Sequence, residues 1–102
     1  MIIDTHVHFW NFDPVRDAWI DETMEVIRKD FAPKDVIEAA SGTRVQGFVA
    51  IQADQSEVET DYLLSLAQAH PEIKGVVGWL ELCHSNLPHQ LEKYGKEPLF
   101  KG

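Results

Sequence analysis

Asp4, His6 and His8 stand at alternate positions of the opening segment MIIDTHVHFW. In an extended strand residues 4, 6 and 8 point one way, while Ile3, Thr5 and Val7 point the other. Two imidazoles on one face at a strand end are spaced to share one divalent cation, and a water bound to that cation becomes a usable nucleophile near neutral pH. Without a metal, the pair is simply two hydrogen-bonded histidines. Spacing alone leaves both readings open. Asp4 lies deeper on the face, where it either accepts a histidine's second ring N–H or is a structural buried carboxylate.

Other polar side chains sit where apolar runs end. Gln52 closes the run VQGFVAIQ, on the face that alternation shares among Phe48, Ala50 and Gln52, read as the interior, with Val49 and Ile51 toward helices. Its amide can both donate hydrogen bonds to a ligand and accept them; the plainer reading is a strand-end cap. Glu81 follows Trp79 on one face of IKGVVGWLEL, opposite Val76, Gly78 and Leu80. A carboxylate needs a partner among packed helices, so the Trp79/Glu81 face is the interior one. Trp10 offers an aromatic face for stacking on a ligand, or rim packing. Trp19 reads as loop core, His70, His84 and His89 as surface residues, and Glu22, Glu25, Glu57 and Glu59 as caps and a solvated helix face.

These positions require strands at Met1–His8, Val45–Gln52 and Ile73–Leu82. Ser56-Glu57-Val58-Glu59 is a capping box, in which Ser56 accepts from the Glu59 N–H while Glu59 reaches back to its cap. It opens a helix to about His70, stopped by Pro71. Further helices are expected over Asp21–Arg28, Lys34–Ala40 and Leu87–Tyr94, with Gly42 and Gly95 as stops. Strand and helix alternate three times, and the strands are near-continuous apolar runs, which reads as βα units feeding a parallel sheet. Ligands bind at the carboxyl ends of such strands.

The 102 residues carry 17 acidic and 9 basic groups, a formal charge of −8. No Lys/Arg cluster follows a phosphate backbone or an anionic membrane, which argues against nucleic-acid and membrane partners. No apolar run is long enough to span a bilayer and no basic leader opens the chain. A single cysteine, Cys83, excludes an intrachain disulfide and points to a reducing compartment, the cytoplasm.

The blocks DTHVHFW, VQGFVAIQADQSEVETDYLLSLA, GVVGWLEL and PLFKG, taken in order, resemble the amidohydrolase-related (amidohydrolase 2) family of TIM-barrel metal-dependent hydrolases, in its sugar-lactonase, fuconolactonase-like branch. The resemblance implies an α/β fold made of the first three βα units of a (β/α)8 barrel. Residues 1–102 are then the N-terminal part of one barrel domain, stopping before its fourth strand, since a closed barrel needs about 250 residues. It implies hydrolysis of a sugar lactone to its acid by water, with His6 and His8 holding one divalent ion, zinc first, or polarising the carbonyl directly without metal. Asp4 supports the histidines from behind, and Trp10, Gln52 and Glu81 position the substrate. The family often has Asp where Glu81 stands. A carboxylate base is missing from the chain, so the isolated piece is expected to be inactive. Its partners are a small-molecule lactone and either the rest of the barrel or another copy of the chain. Two rival readings are a decarboxylase of the same superfamily and an inactive fragment that self-associates through the unpaired edges of strands one and three.

Overall fold

The computed structural model describes residues 1–102. Strands β1 (Ile2–Val7), β2 (Val45–Ile51) and β3 (Ile73–Val77) form one parallel sheet, ordered β1-β2-β3. Spatial order follows chain order, the way strands are laid around a barrel, whereas a doubly wound sheet reverses direction. Helices α1 (Pro33–Ala39), α2 (Glu57–Ala69) and α3 (Leu87–Gly95) follow the three strands in turn. No helix is long and apolar enough to cross a membrane.

Local chemistry sets the helix ends. Pro33 occupies the first position of α1, and the Asp35 carboxylate accepts the Ala32 N–H at 2.7 Å. Beyond α1 the chain turns at Gly42, whose φ of +81° is open to glycine at no steric cost. Ser56 caps α2 as expected, accepting the Glu59 N–H at 3.1 Å. The reciprocal half of the box is not made: the Glu59 carboxylate reaches past its cap to the N–H groups of Ala53 (3.1 Å) and Asp54 (2.8 Å). The loop leaving β2 folds over the helix start and presents two amides to one carboxylate.

The core lies between the sheet and the helices. Ala50 and Val76 from the strands meet Leu63, Leu64 and Ala67 of α2, with Phe9, Ile73, Leu80 and Tyr94 around them. Full burial of a side chain such as Leu63 stabilises by about 1.5–3 kcal/mol. Ala50 therefore faces α2, and the interior assignment of Phe48 and Ala50 is corrected: Val49 and Ile51, only half-buried, occupy the other face. A run as uniformly apolar as GFVAI offers no contrast from which to choose a face. The Val76, Gly78 and Leu80 side of the third segment does face the helices, leaving Trp79 and Glu81 opposite. Register slips interrupt strict alternation, one between Asp4 and Val7 and another that lets Phe48 pair with Ile73 and Val49 with Gly75.

Three further expectations are revised. Asp21–Arg28 is not a helix but a 3-10 turn at Glu22–Met24, with Asp21 bonded to Thr23. Val26 is left 80% exposed there, so the segment lacks the apolar face that would repay helix nucleation. β3 ends at Val77 rather than Leu82, because Trp79 leaves the ladder for α2: its N–H donates to Thr60 Oγ1 at 2.7 Å, and that hydroxyl donates to Trp79 O at 2.8 Å. Finally, the outer edge of β3 is not open. Val76 N–H donates to Leu99 O, Lys101 N–H to Val76 O, and Gly78 N–H to Gly102 O. The segment 99–102 thus runs parallel alongside β3, and a Cβ at Gly75 would approach Lys101 Cγ to 2.8 Å.

Candidate active site

Both histidines leave the carboxyl end of β1 and converge. Their Nε2 atoms lie 3.2 Å apart, with the rings edge to face at 4.9 Å between centroids. Two nitrogens bound tetrahedrally to zinc at 2.0–2.1 Å are about 3.3 Å apart, so the pair already has the spacing of two ligands. His8 Nδ1 lies 3.0 Å from the Ile51 carbonyl. That carbonyl can only accept, so Nδ1 carries the proton and Nε2 presents a lone pair, the tautomer a metal ligand needs. Both side chains are exposed at the strand ends. No group of three or more His, Cys, Asp or Glu side chains gathers to hold a metal, so this chain offers two ligands.

Asp4 is not behind an imidazole. Its Oδ1 accepts the backbone N–H of His6 at 3.0 Å, inside the stretch where the β1 register slips, and so shapes the strand that carries the histidines. The partner of His8 is instead the β2 carbonyl of Ile51. A main-chain acceptor gives no residue-type signal in the sequence.

His8, Trp10 and Gln52 come together around a cleft of about 380 Å³, bordered by Arg16, Trp19 and Asp54. Gln52 reaches it because β2 ends at Ile51, freeing Gln52 from the helix-facing set. Trp10 packs at a tilt against Phe31, with ring centroids 4.7 Å apart, and its indole Nε1–H is buried without a protein acceptor. Trp19, expected in the loop core, is 62% exposed at the cleft rim, while Ile20 beside it is buried. Glu81 does not border this cleft; it is exposed and accepts the Cys83 N–H at 3.3 Å.

Sequence reading missed the polar residues that build the cleft wall. Arg16 Nε and Nη2 donate to Asp17 at 3.0 and 2.8 Å, and Asp17 also accepts the Asp13 N–H at 3.0 Å. The Arg16 guanidinium holds the Asp17 carboxyl below its usual range. Glu59 is buried, not solvated, and burial pushes its carboxyl up against the opposing effect of its two amide donors. Its place at the third position of α2 marked it as a cap; nothing local marked it as buried.

The Asp17 shift fixes a sign for stability against pH. A carboxyl held below its ordinary 3.8 contributes stability that is complete above that value and is lost as pH falls through its folded pKa. Urea midpoints measured at pH 5 and pH 3 should fall toward the lower pH, and by less in Asp17→Asn.

Three parallel strands wound in chain order and alternating with helices match part of the TIM-barrel structures of amidohydrolases. No protein-family profile matches the chain. Over 100 residues, 98% of its length, the chain is 31% identical to the L-fucono-1,5-lactonase of Burkholderia ambifaria, of which it covers 34%. It is 30% identical over 92 residues to the L-fucono-1,5-lactonase of Burkholderia multivorans, covering 31% of that protein. Among solved structures it superimposes on a Burkholderia multivorans amidohydrolase crystallised with bound Zn, with TM-score 0.86, 29% identity, and coverage of 98% of this chain and 36% of that one. A second crystal form, with bound HEPES, gives TM-score 0.87 at the same identity. The chain thus spans about a third of the length of the curated relatives it matches. It is homologous to the N-terminal portion of the L-fucono-1,5-lactonase amidohydrolases.

Proposed function

We propose that this chain supplies the first-strand histidines and part of the substrate cleft of a lactone hydrolase acting on a sugar lactone. The observation that carries the reading is the convergence of His6 and His8 Nε2 to 3.2 Å beside the Trp10/Gln52 cleft. The kinship with L-fucono-1,5-lactonases, and the zinc in a related amidohydrolase, support it.

In the reaction, water adds to the lactone carbonyl carbon, the ring C–O bond breaks, and the departing oxygen takes a proton to give the open hydroxy acid. His6 and His8 would hold a zinc ion through their Nε2 atoms, and such an ion would supply Lewis-acid polarisation of the carbonyl and a lowered pKa for water. His8, with its proton held on Nδ1 by Ile51 O, presents an unprotonated Nε2 toward His6 Nε2. Trp10 offers apolar ring surface at the cleft, and Gln52 offers an amide that both donates and accepts. Asp4 holds the strand segment in which His6 sits.

A chimaera carrying residues 1–102 in place of the matching third of the Burkholderia ambifaria enzyme tests the reading, with folding checked by circular dichroism. It should hydrolyse L-fucono-1,5-lactone, and His8→Ala in it should lower kcat/KM by about 10²–10³, the usual effect of losing an electrophilic contact. A folded chimaera that is equally active without both histidines contradicts the proposal.

A further inference from the structure

Glu59 and Thr60, adjacent buried polar residues in the first turn of α2, each bond to the exit of a different strand. Glu59 is 8% exposed and Thr60 fully buried. The Glu59 carboxylate takes the amides of Ala53 and Asp54, immediately after β2. The Thr60 hydroxyl takes both main-chain groups of Trp79, immediately after β3. A Cβ on Gly78 would lie 2.6 Å from Thr60, so the close approach is built into both elements. Two residues before Ala53, the Ile51 carbonyl receives His8 Nδ1.

We infer that Glu59 is a positioning residue for His8: by clamping the Ala53–Asp54 turn it fixes the Ile51 carbonyl, and through it the tautomer and aim of the imidazole. The inference rests on the reading of His6 and His8 as ligands only for its metal readout. Capping α2 does not need the Glu59 side chain, since Ser56 bonds the Glu59 backbone N–H. The carboxylate is therefore free for the loop, and one oxygen, Oε2, accepts both amides. A glutamine amide oxygen can replace it.

The test uses the whole chain in four forms: unmodified, Glu59→Gln, Glu59→Ala and Ser56→Ala. Histidine ring 15N spectra report the His8 tautomer, and zinc titration reports affinity. Unmodified and Glu59→Gln chains should show His8 protonated at Nδ1, with zinc affinities within about twofold of each other. Glu59→Ala should mix the tautomers and weaken zinc about tenfold, the lower end of the effect of disturbing a ligand's support. Ser56→Ala, which loosens the helix start, should keep the tautomer. Should Glu59→Ala fail to fold, Glu59→Asp, too short to reach both amides, takes its place with the same expectation. An unchanged tautomer in Glu59→Ala, or an equal loss in Ser56→Ala, overturns the inference. If zinc binds none of the forms, the metal reading fails and the tautomer result alone decides the role of Glu59.

Discussion

Replacing His8 with alanine is expected to weaken zinc binding by more than the 10–100-fold typical of changes to a ligand's supporting contacts, because it removes one of the two nitrogens that converge here. His8 is exposed, so stability should change by no more than about 0.5 kcal/mol. His6→Ala should do the same, and the double variant should add little, since a single imidazole already binds weakly. Competition against a zinc-sensitive dye at fixed pH reads the affinity, and a urea melt of the same sample reads the stability. Equal affinity in the single variants and the unmodified chain removes the pair from the account. Cys83→Ser should leave the affinity unchanged, because Cys83 is exposed and belongs to no group of three or more side chains that could hold a metal.

The second large effect is on the fold. Tyr94 is 1% exposed, its ring 5.3 Å from that of Phe100. Its hydroxyl lies 2.7 Å from Asp61 and 3.0 Å from Glu57, with Lys93 Nζ beside the same carboxylates at 3.5 and 3.3 Å. Burial, reinforced by these two acids, pushes the phenol above its usual range, and its hydrogen bond in turn holds Glu57 below the usual carboxylate range. Tyr94→Ala should cost about 3–5 kcal/mol, a large share of the roughly 5–15 kcal/mol typical of a domain. Tyr94→Phe keeps the ring and should cost about 1–3 kcal/mol. Urea melts separate the two, and amide exchange should show α3 opening first in Tyr94→Ala. Equal, small costs in both would mean that α3 is not anchored by this ring.

Much of this fold is legible because its signals are local. Ser56 before a periodic run, Pro71 and Gly95 as stops, Gly42 after a helix and three apolar runs separated by helices gave the three βα units to within a residue or two, apart from the end of β3. What was not legible depends on partners distant in sequence. β3 stops early because Thr60, nineteen residues before Trp79, captures that residue's main chain. Glu57 and Glu59 look like solvated acids until α3 and the β2 loop are placed against them. The face of β2 was misread because an all-apolar strand carries no alternation, and Asp4 because a register slip breaks the period its assignment assumed.

The candidate site divides along the same line. His6 and His8 were found by spacing that needs only a strand, and Gln52 was brought to the cleft by a strand end that alternation did not place. Arg16 and Asp17 sit in the long first loop, where no period exists to reveal that they line the same cleft as His8.

The central geometric claim is that the two imidazoles bind the same ion. X-ray absorption on the zinc-loaded chain measures this directly. Two imidazole nitrogens at about 2.0–2.1 Å, reduced to one in His8→Ala, is the expected result. A zinc shell of oxygen alone, or one containing sulfur at about 2.3 Å, would place the ion elsewhere and contradict the account.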